Sequence, residues 1–245
     1  EYLKKNGFDT SLVKISPKSH IVFDKHIKDD IRSLSSKLGT TSKGIAPCYA
    51  EKAFRSGLRA GDLSQIKNSG FLWDEKLYGN ILCEGAQGFW LDMDWGNYPY
   101  VTSSTTLPYG ACSLGFPPQC IEKIIGVAKM YDTRSGEDPD FPNSLFKNKE
   151  LLKLASLGKE YGVTTGRKRK TNYLNLDKLL KAIKISGCTH VIFNKVDILE
   201  NANIFKFYYN DKLKSVSSIT EMKNNIKKQI DEEIKVIFSS NPEKI

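Results

Sequence analysis

The sequence has few of the residues that hold metals or staple small folds. It contains three histidines, His20, His26 and His190, and five cysteines, Cys48, Cys83, Cys112, Cys120 and Cys188. None of the histidines pairs with another histidine or a cysteine at metal-ligand spacing, and no C-x-x-C occurs. Neither a zinc site nor a disulfide framework is therefore expected, and the histidines read as structural or surface residues. An odd set of unpaired cysteines fits a reducing, cytosol-like compartment. No apolar run reaches the roughly 18 residues of a membrane span. Internal repeats, low-complexity tracts and clear linkers are missing, and so is the phosphate cradle G-x-x-x-x-G-K-[ST]. The chain begins at Glu1 rather than Met, so it reads as trimmed or excised from something longer, and the lack of a signal peptide carries no weight.

What is present suits a globular protein. The 245 residues are 40% hydrophobic, enough for one large domain or two small ones. A formal charge of +9 fits a nucleic-acid partner or a set of anionic substrates equally well. Short strands are expected at Ser19–Phe23, Asn80–Cys83, His190–Phe193 and Ile234–Phe238. Helices are expected over Asp24–Lys37, Cys48–Ser56, Ile121–Met130 and Ile219–Ile230. Another is marked by Leu176, Leu179, Leu180 and Ile183 at i, i+3, i+4 and i+7, with Asn175 as its N-cap. Residues 39–47 and 92–108 read as loops. Strands alternating with helices predict an α/β fold with a mainly parallel sheet.

Five stretches carry candidate chemistry. Asn194-Lys-Val-Asp197, directly after an apolar strand, reads like the guanine-recognition box of GTP-binding proteins. A carboxylate at the carboxyl edge of a sheet can accept both N–H donors of guanine, a pair that adenine lacks. Gly162-Val-Thr-Thr-Gly-Arg-Lys-Arg-Lys-Thr171 is the densest basic stretch. It suits a loop that clamps an anion with arginine forks and hydroxyls, and it is also what a solvated charge run looks like. Gly39-Thr-Thr-Ser-Lys-Gly44 before a helix suits a phosphate, or a simple capping turn. Val101-Thr-Ser-Ser-Thr-Thr106 is a further hydroxyl cluster. Glu84-Gly-Ala-Gln-Gly88 sets a glutamine between glycines, where backbone can approach a ligand.

Taken in order, GTTSKGIAP, EKAFRSGLRAGDL, EGAQG, YPYVTSS, MYDTRSG, YGVTTGRKRKTNYL and FNKVD resemble adenylosuccinate synthetase over nearly the whole chain. The resemblance is least clear in residues 63–79 and 200–233. It implies a P-loop NTPase-related α/β fold, with residues 1–245 forming one domain of that family. It implies GTP-dependent joining of IMP to L-aspartate, through an IMP phosphorylated on its 6-oxygen. Thr41, Thr102, Arg55 and Arg167 are the implied IMP contacts, with Arg55 reaching across a homodimer. Gln87 is the implied residue beside the reacting 6-position. Thr164, Thr165, Arg167 and Arg169 are the implied aspartate-binding residues. Arg169, Asn194, Lys195, Asp197, Ser239, Ser240 and Asn241 are the implied GTP contacts, in a terminal loop that runs to Pro242. The family's catalytic Asp belongs to its N-terminal phosphate loop, its His acid to a Gly-His segment soon after, and magnesium to that same N-terminal region. The chain is expected to begin beyond that loop, so metal ligands are expected outside these residues.

The pattern also departs from the family. Lys43 and Lys168 stand where bacterial members have Arg, and Ser135 replaces a usual Val. Short intervals between Asp62 and Glu84 and after Asp197 suggest a compact form, as in archaeal or viral members, with part of the dimer surface missing. Two other readings compete. One is a viral relative that joins dGMP to aspartate, against which the intact guanine box weighs. The other is a basic nucleic-acid-binding or regulatory protein, against which the lack of an aromatic stacking platform beside Arg167–Lys170 weighs. A cytoplasmic ligase of purine synthesis, with no membrane and no nucleic-acid partner, is the expectation carried forward.

Overall fold

In the computed structural model, which describes residues 2–73, 75–162 and 166–241, residues 1–84 and 85–245 form separate compact units. The first unit is built from short helices: α1 (Tyr2–Lys5), α2 (Asp24–Asp30), α3 (Ser36–Leu38), α4 (Ile45–Phe54) and α5 (Ser64–Lys67). A π turn over Ile31–Ser35 joins α2 to α3, so the expected helix across residues 24–37 is present with one irregular turn. The helix expected at Cys48 begins earlier, at Ile45, because Gly44 takes the left-handed conformation and starts it there. The strand expected at Ser19–Phe23 is reduced to one bridge between His20 and Arg59. No described neighbour extends that ladder, and Phe23 instead becomes the N-cap of α2. Asn80–Cys83 forms no strand either; Ile81 and Leu82 lie exposed, without a sheet to bury them.

Only Cys48 and Ala60 are buried apolar residues among those described in the first unit, and its most enclosed side chains include His26 and Asp30. These two sit one turn apart on α2. The Nδ1 of His26 accepts from the Phe23 amide (3.0 Å), and its Nε2 lies 3.0 Å from Glu51 Oε2 on α4. His26 is thus a structural histidine, as expected.

The second unit holds the main apolar core. Its strands are β1 (Ile125–Lys129), β2 (Tyr131–Arg134), β3 (Lys170–Asn175), β4 (His190–Asn194), β5 (Lys206–Tyr209), β6 (Lys212–Ser215) and β7 (Lys235–Phe238). Its helices are α6 (Lys149–Leu157), α7 (Leu176–Ser186), α8 (Val196–Ala202) and α9 (Ile219–Gln229). One sheet is parallel with order β1-β4-β7; the other is mixed with order β2-β3-β5-β6. The α/β class with a parallel sheet is therefore as expected.

The helix expected over Ile121–Met130 is instead β1. Helical propensity yields there to pairing with β4, in which Gly126 lies opposite Val191. A Cβ at Gly126 would come 3.0 Å from Cys188 Sγ, so the small residue fits the close approach. Val191 and Phe193 of β4 are buried, and Phe193 stacks on Phe238 of β7. Each such side chain contributes roughly 1.5–3 kcal/mol on leaving water.

Helix α7 follows its sequence closely. Leu176 and Ile183 are buried, Leu179 and Leu180 pack against the core, and Asn175 Oδ1 accepts from the Lys178 amide at 3.0 Å. Gly187 ends the helix in the left-handed conformation. Helix α9 buries Ile219, Met222 and Ile226 on one face, with Ser218 as its cap. Among the described residues no helix is long and apolar enough to cross a membrane.

Candidate active site

Strand β4 delivers Asn194 to the carboxyl edge of the parallel sheet, where α/β proteins bind ligands. Lys195 then turns the chain in the left-handed conformation (φ 63°), and Asp197 falls in the first turn of α8. A carboxylate suits that position because the helix N-terminus presents unpaired N–H groups. The end of β7 closes against this turn. The Ser239 amide donates to the Phe193 carbonyl (2.8 Å), and the Val196 amide donates to the Ser239 carbonyl (3.4 Å). The Oγ of buried Ser239 donates to the Asn241 carbonyl (2.7 Å). Asn194, Lys195, Asp197, Ser239, Ser240 and Asn241 thus come from two adjacent strand ends; Pro242 lies outside the described residues. The Oδ1 of Asn194 is buried without a hydrogen-bond partner among the described residues. A buried polar atom left so costs about 1–3 kcal/mol, which a ligand donor would offset.

The basic stretch is not a uniform solvated run. Lys170 is buried at the start of β3, with its Nζ 2.9 Å from Glu137 Oε2. Arg167 Nη2 donates to the Ser135 carbonyl. Arg169 Nη1 lies 3.0 Å from Glu160 Oε2, and its amide donates to the Glu160 carbonyl at 3.0 Å. Thr164 and Thr165 lie outside the described residues.

Glu160 is the hub of this region. Its side chain is 1% exposed. Oε2 also takes Lys129 Nζ at 2.7 Å, and Oε1 takes the Tyr131 hydroxyl at 2.7 Å. Burial alone would raise the Glu160 pKa, but Lys129, Tyr131 and Arg169 together hold it below the ordinary carboxylate range. Burial lowers the Lys129 pKa against the pull of Glu160, and burial with Glu160 pushes the Tyr131 phenol well up. Two residues away from Glu160, the Gly158 carbonyl accepts from Lys195 Nζ at 3.2 Å. The segment 158–160 therefore contacts both the Arg169 loop and the Asn194–Asp197 turn. Nothing in residue spacing marked Glu160 or Lys129 beforehand.

A second buried carboxylate shapes the hydroxyl-rich loop. Asp92, 1% exposed, accepts from the amides of Thr106 (2.7 Å) and Asp94 (3.0 Å). Burial raises its pKa, but these amides and the Thr106 hydroxyl leave it lowered. Gly96 is required in this turn, since a Cβ there would meet the Trp90 and Asp92 carbonyls at 2.5 and 2.7 Å. Thr102 is pinned through its amide to the Leu91 carbonyl at 2.8 Å. Gln87 is exposed, in the left-handed conformation (φ 69°), on a loop whose flanking Gly85 and Gly88 face open space.

Thr41 and Arg55 belong to the first unit. Buried Asp30 accepts from the Thr40 hydroxyl (2.7 Å) and the Gly44 amide (2.9 Å), and so folds residues 40–44 over the start of α4. Thr41 is exposed at the crest of that loop. Gly44 packs on the backbone of α2: a Cβ would come 2.8 Å from the Ile27 nitrogen. Arg55 caps α4 in the left-handed conformation (φ 68°) with its side chain exposed. A non-glycine residue held there costs about 1–3 kcal/mol, an expense typical of functional positions.

Among the described residues no three His, Cys, Asp or Glu side chains converge to hold a metal ion. No chemical step is assigned to a metal held by these residues.

A family model described as adenylosuccinate synthetase matches residues 1–77 and 69–240. An adenylosuccinate synthetase of Caenorhabditis briggsae is 36% identical over 252 residues, covering 81% of this chain and 57% of that protein. The chain spans 54–64% of the length of the curated relatives it matches. Among solved structures, fully ligated adenylosuccinate synthetase from Plasmodium falciparum superposes with a TM-score of 0.76 at 22% identity. That match covers 94% of this chain and 76% of the other, and it establishes likeness of fold. Cyanophage S-2L succinoaminodeoxyadenylate synthetase, bound to dGMP and dATP, gives 0.57 at 16% identity, over 88% of this chain and 72% of that one.

Proposed function

The chain belongs to the adenylosuccinate synthetase family, and from that premise we propose that it supplies the guanine, IMP and aspartate sites of a GTP-dependent ligase. In this reading the γ-phosphoryl group of GTP passes to the 6-oxygen of IMP as the ring proton leaves. The amine of L-aspartate then displaces that phosphate, giving adenylosuccinate, GDP and phosphate. Catalysis of this kind is positioning and charge neutralisation.

The observation that carries the reading is the turn at the end of β4. Asn194, Lys195 and Asp197 sit at a sheet edge with a buried Asn194 Oδ1 that has no partner among the described residues, closed by Ser239 just after β7. In our assignment Asp197 accepts from guanine, Lys195 covers the base, and Ser239, Ser240 and Asn241 line its rim. Arg169 serves aspartate and GTP, while Arg167 serves IMP and aspartate together with Thr164 and Thr165. Thr41, Thr102 and Gln87 address IMP, with Gln87 at the reacting position and Arg55 acting across a homodimer. None of the 245 residues is assigned the role of base or acid. Magnesium, a cytoplasmic location and the homodimer are parts of this proposal.

The dGMP alternative is not favoured. The relatives near 35% identity are adenylosuccinate synthetases, whereas the dGMP-bound phage protein is alike in fold alone. The test is to express the entire coding sequence and follow adenylosuccinate with IMP, aspartate and GTP. Product that requires all three supports the reading, and product from dGMP instead of IMP, or none at all, refutes it.

A further inference from the structure

Resting on the ligase reading above, we propose that Glu160 is a positioning residue that holds Arg169 in the geometry needed to take the aspartate carboxylates. Lys129 and Arg169 both reach the same Glu160 oxygen, at 2.7 and 3.0 Å. Two cations drawn to one oxygen repel each other, and without the carboxylate the longer, more exposed Arg169 would swing away. The backbone reinforces this arrangement. The Arg169 amide donates to the Glu160 carbonyl, and Tyr161 bridges Lys168, so a short antiparallel stem places the arginine beside the carboxylate.

Glu160 is itself fixed. It is fully enclosed, its second oxygen is held by Tyr131, and Gly158 just before it holds Lys195. A planar guanidinium binds a carboxylate well only when its fork is pre-aimed, so the cost of ordering Arg169 is met before the substrate arrives. The charge balance also favours an anion, because the three cations Lys129, Arg169 and Lys195 outnumber the two nearby carboxylates, Glu160 and Asp197.

The test uses the full-length protein with Glu160→Gln, which keeps the shape but removes the charge and replaces one of the two acceptor oxygens with a donor nitrogen. KM for L-aspartate should rise about tenfold with kcat changed much less, the signature of lost substrate positioning. In an Arg169→Gln background the same substitution should change KM by less than about twofold, since Glu160 acts through Arg169. Glu160→Asp, which keeps the charge, should recover part of the affinity. Effects that multiply in the double mutant, or an unchanged aspartate KM, overturn the proposal.

Tryptic cleavage after Arg169 provides a readout free of ligase activity. Glu160→Gln should speed it at least about fivefold, because the released side chain opens the stem. If the wild-type protein makes no adenylosuccinate, the ligase reading fails, and the proteolysis still decides whether Glu160 holds Arg169. Equal cleavage rates would overturn that as well.

Discussion

Gly158 is the position where a single methyl group should do most damage. It caps α6 with φ −74° and ψ −7°, a conformation any residue adopts. On backbone grounds alone, Ala there would stabilise by roughly 0.5–1 kcal/mol. Space decides otherwise. A Cβ at Gly158 would fall inside the contact shell of the Tyr131 hydroxyl and 3.0 Å from the Leu154 carbonyl. Tyr131 is 2% exposed and cannot move aside without leaving Glu160. Overpacking costs about 1–3 kcal/mol, and a buried hydrogen bond to a charged group about 1.5–3 kcal/mol. Gly158→Ala should therefore lose roughly 2–5 kcal/mol net. The assay is urea unfolding of Gly158→Ala, Tyr131→Phe and the double mutant, followed by intrinsic fluorescence. Because Phe lacks the clashing oxygen, Gly158→Ala should cost much less in the Tyr131→Phe background, where the 3.0 Å approach to the Leu154 carbonyl remains, a coupling of about 2 kcal/mol. Equal losses in both backgrounds would refute the reasoning.

Other outcomes follow from buried and half-buried carboxylates. Asp30→Ala removes the carboxylate that accepts from the Thr40 hydroxyl and the Gly44 amide. It should cost about 2–4 kcal/mol and speed hydrogen exchange at Gly44, and a slow, unchanged Gly44 amide would contradict this. Asp132 responds to pH in the opposite sense to most carboxylates. Desolvation pushes its carboxyl up to about 7 from 3.8, against the Asn175 amide that donates to it. Between those values the folded state binds a proton that the unfolded state has lost. Its contribution to stability should therefore fall as pH rises from about 4 to about 7. Asp132→Asn should flatten that slope, and a slope unchanged in the variant would exclude Asp132 as its source. Asp92, whose pKa is lowered, acts in a separate window. Its contribution is present above 3.8 and is lost as pH falls further.

Much of the second unit was legible in the sequence because local and global preferences agree there. Leu176, Leu179, Leu180 and Ile183 repeat at helical spacing between an Asn cap and a Gly stop, and α7 forms where they predict. The apolar run of β4 and the turn that follows it were legible for the same reason. Where tertiary pairing dominates, the sequence misled. Ile121–Met130 has the composition of a helix, yet Ile125–Lys129 is recruited into the sheet by β4. Ser19–Phe23 and Asn80–Cys83 have strand composition but no described strand beside them. The candidate site was legible where its side chains are clustered in sequence, as in Asn194–Asp197 and Arg167–Lys170. It was hidden where a distant residue supplies the order. Glu160 lies nine positions from Arg169 and 31 from Lys129, and Asp30 lies 14 from Gly44. Single buried carboxylates like these carry no motif.

The central claim is that the turn after β4 reads guanine for a ligase, and the most direct measurement is kcat/KM with GTP against ATP, in the wild type and in Asp197→Asn. The account predicts a preference for GTP of at least about a thousandfold, cut by about a hundredfold in the variant, since an amide presents a donor where guanine also has one. Equal use of GTP and ATP by the wild type, or a preference unmoved by Asp197→Asn, would contradict it.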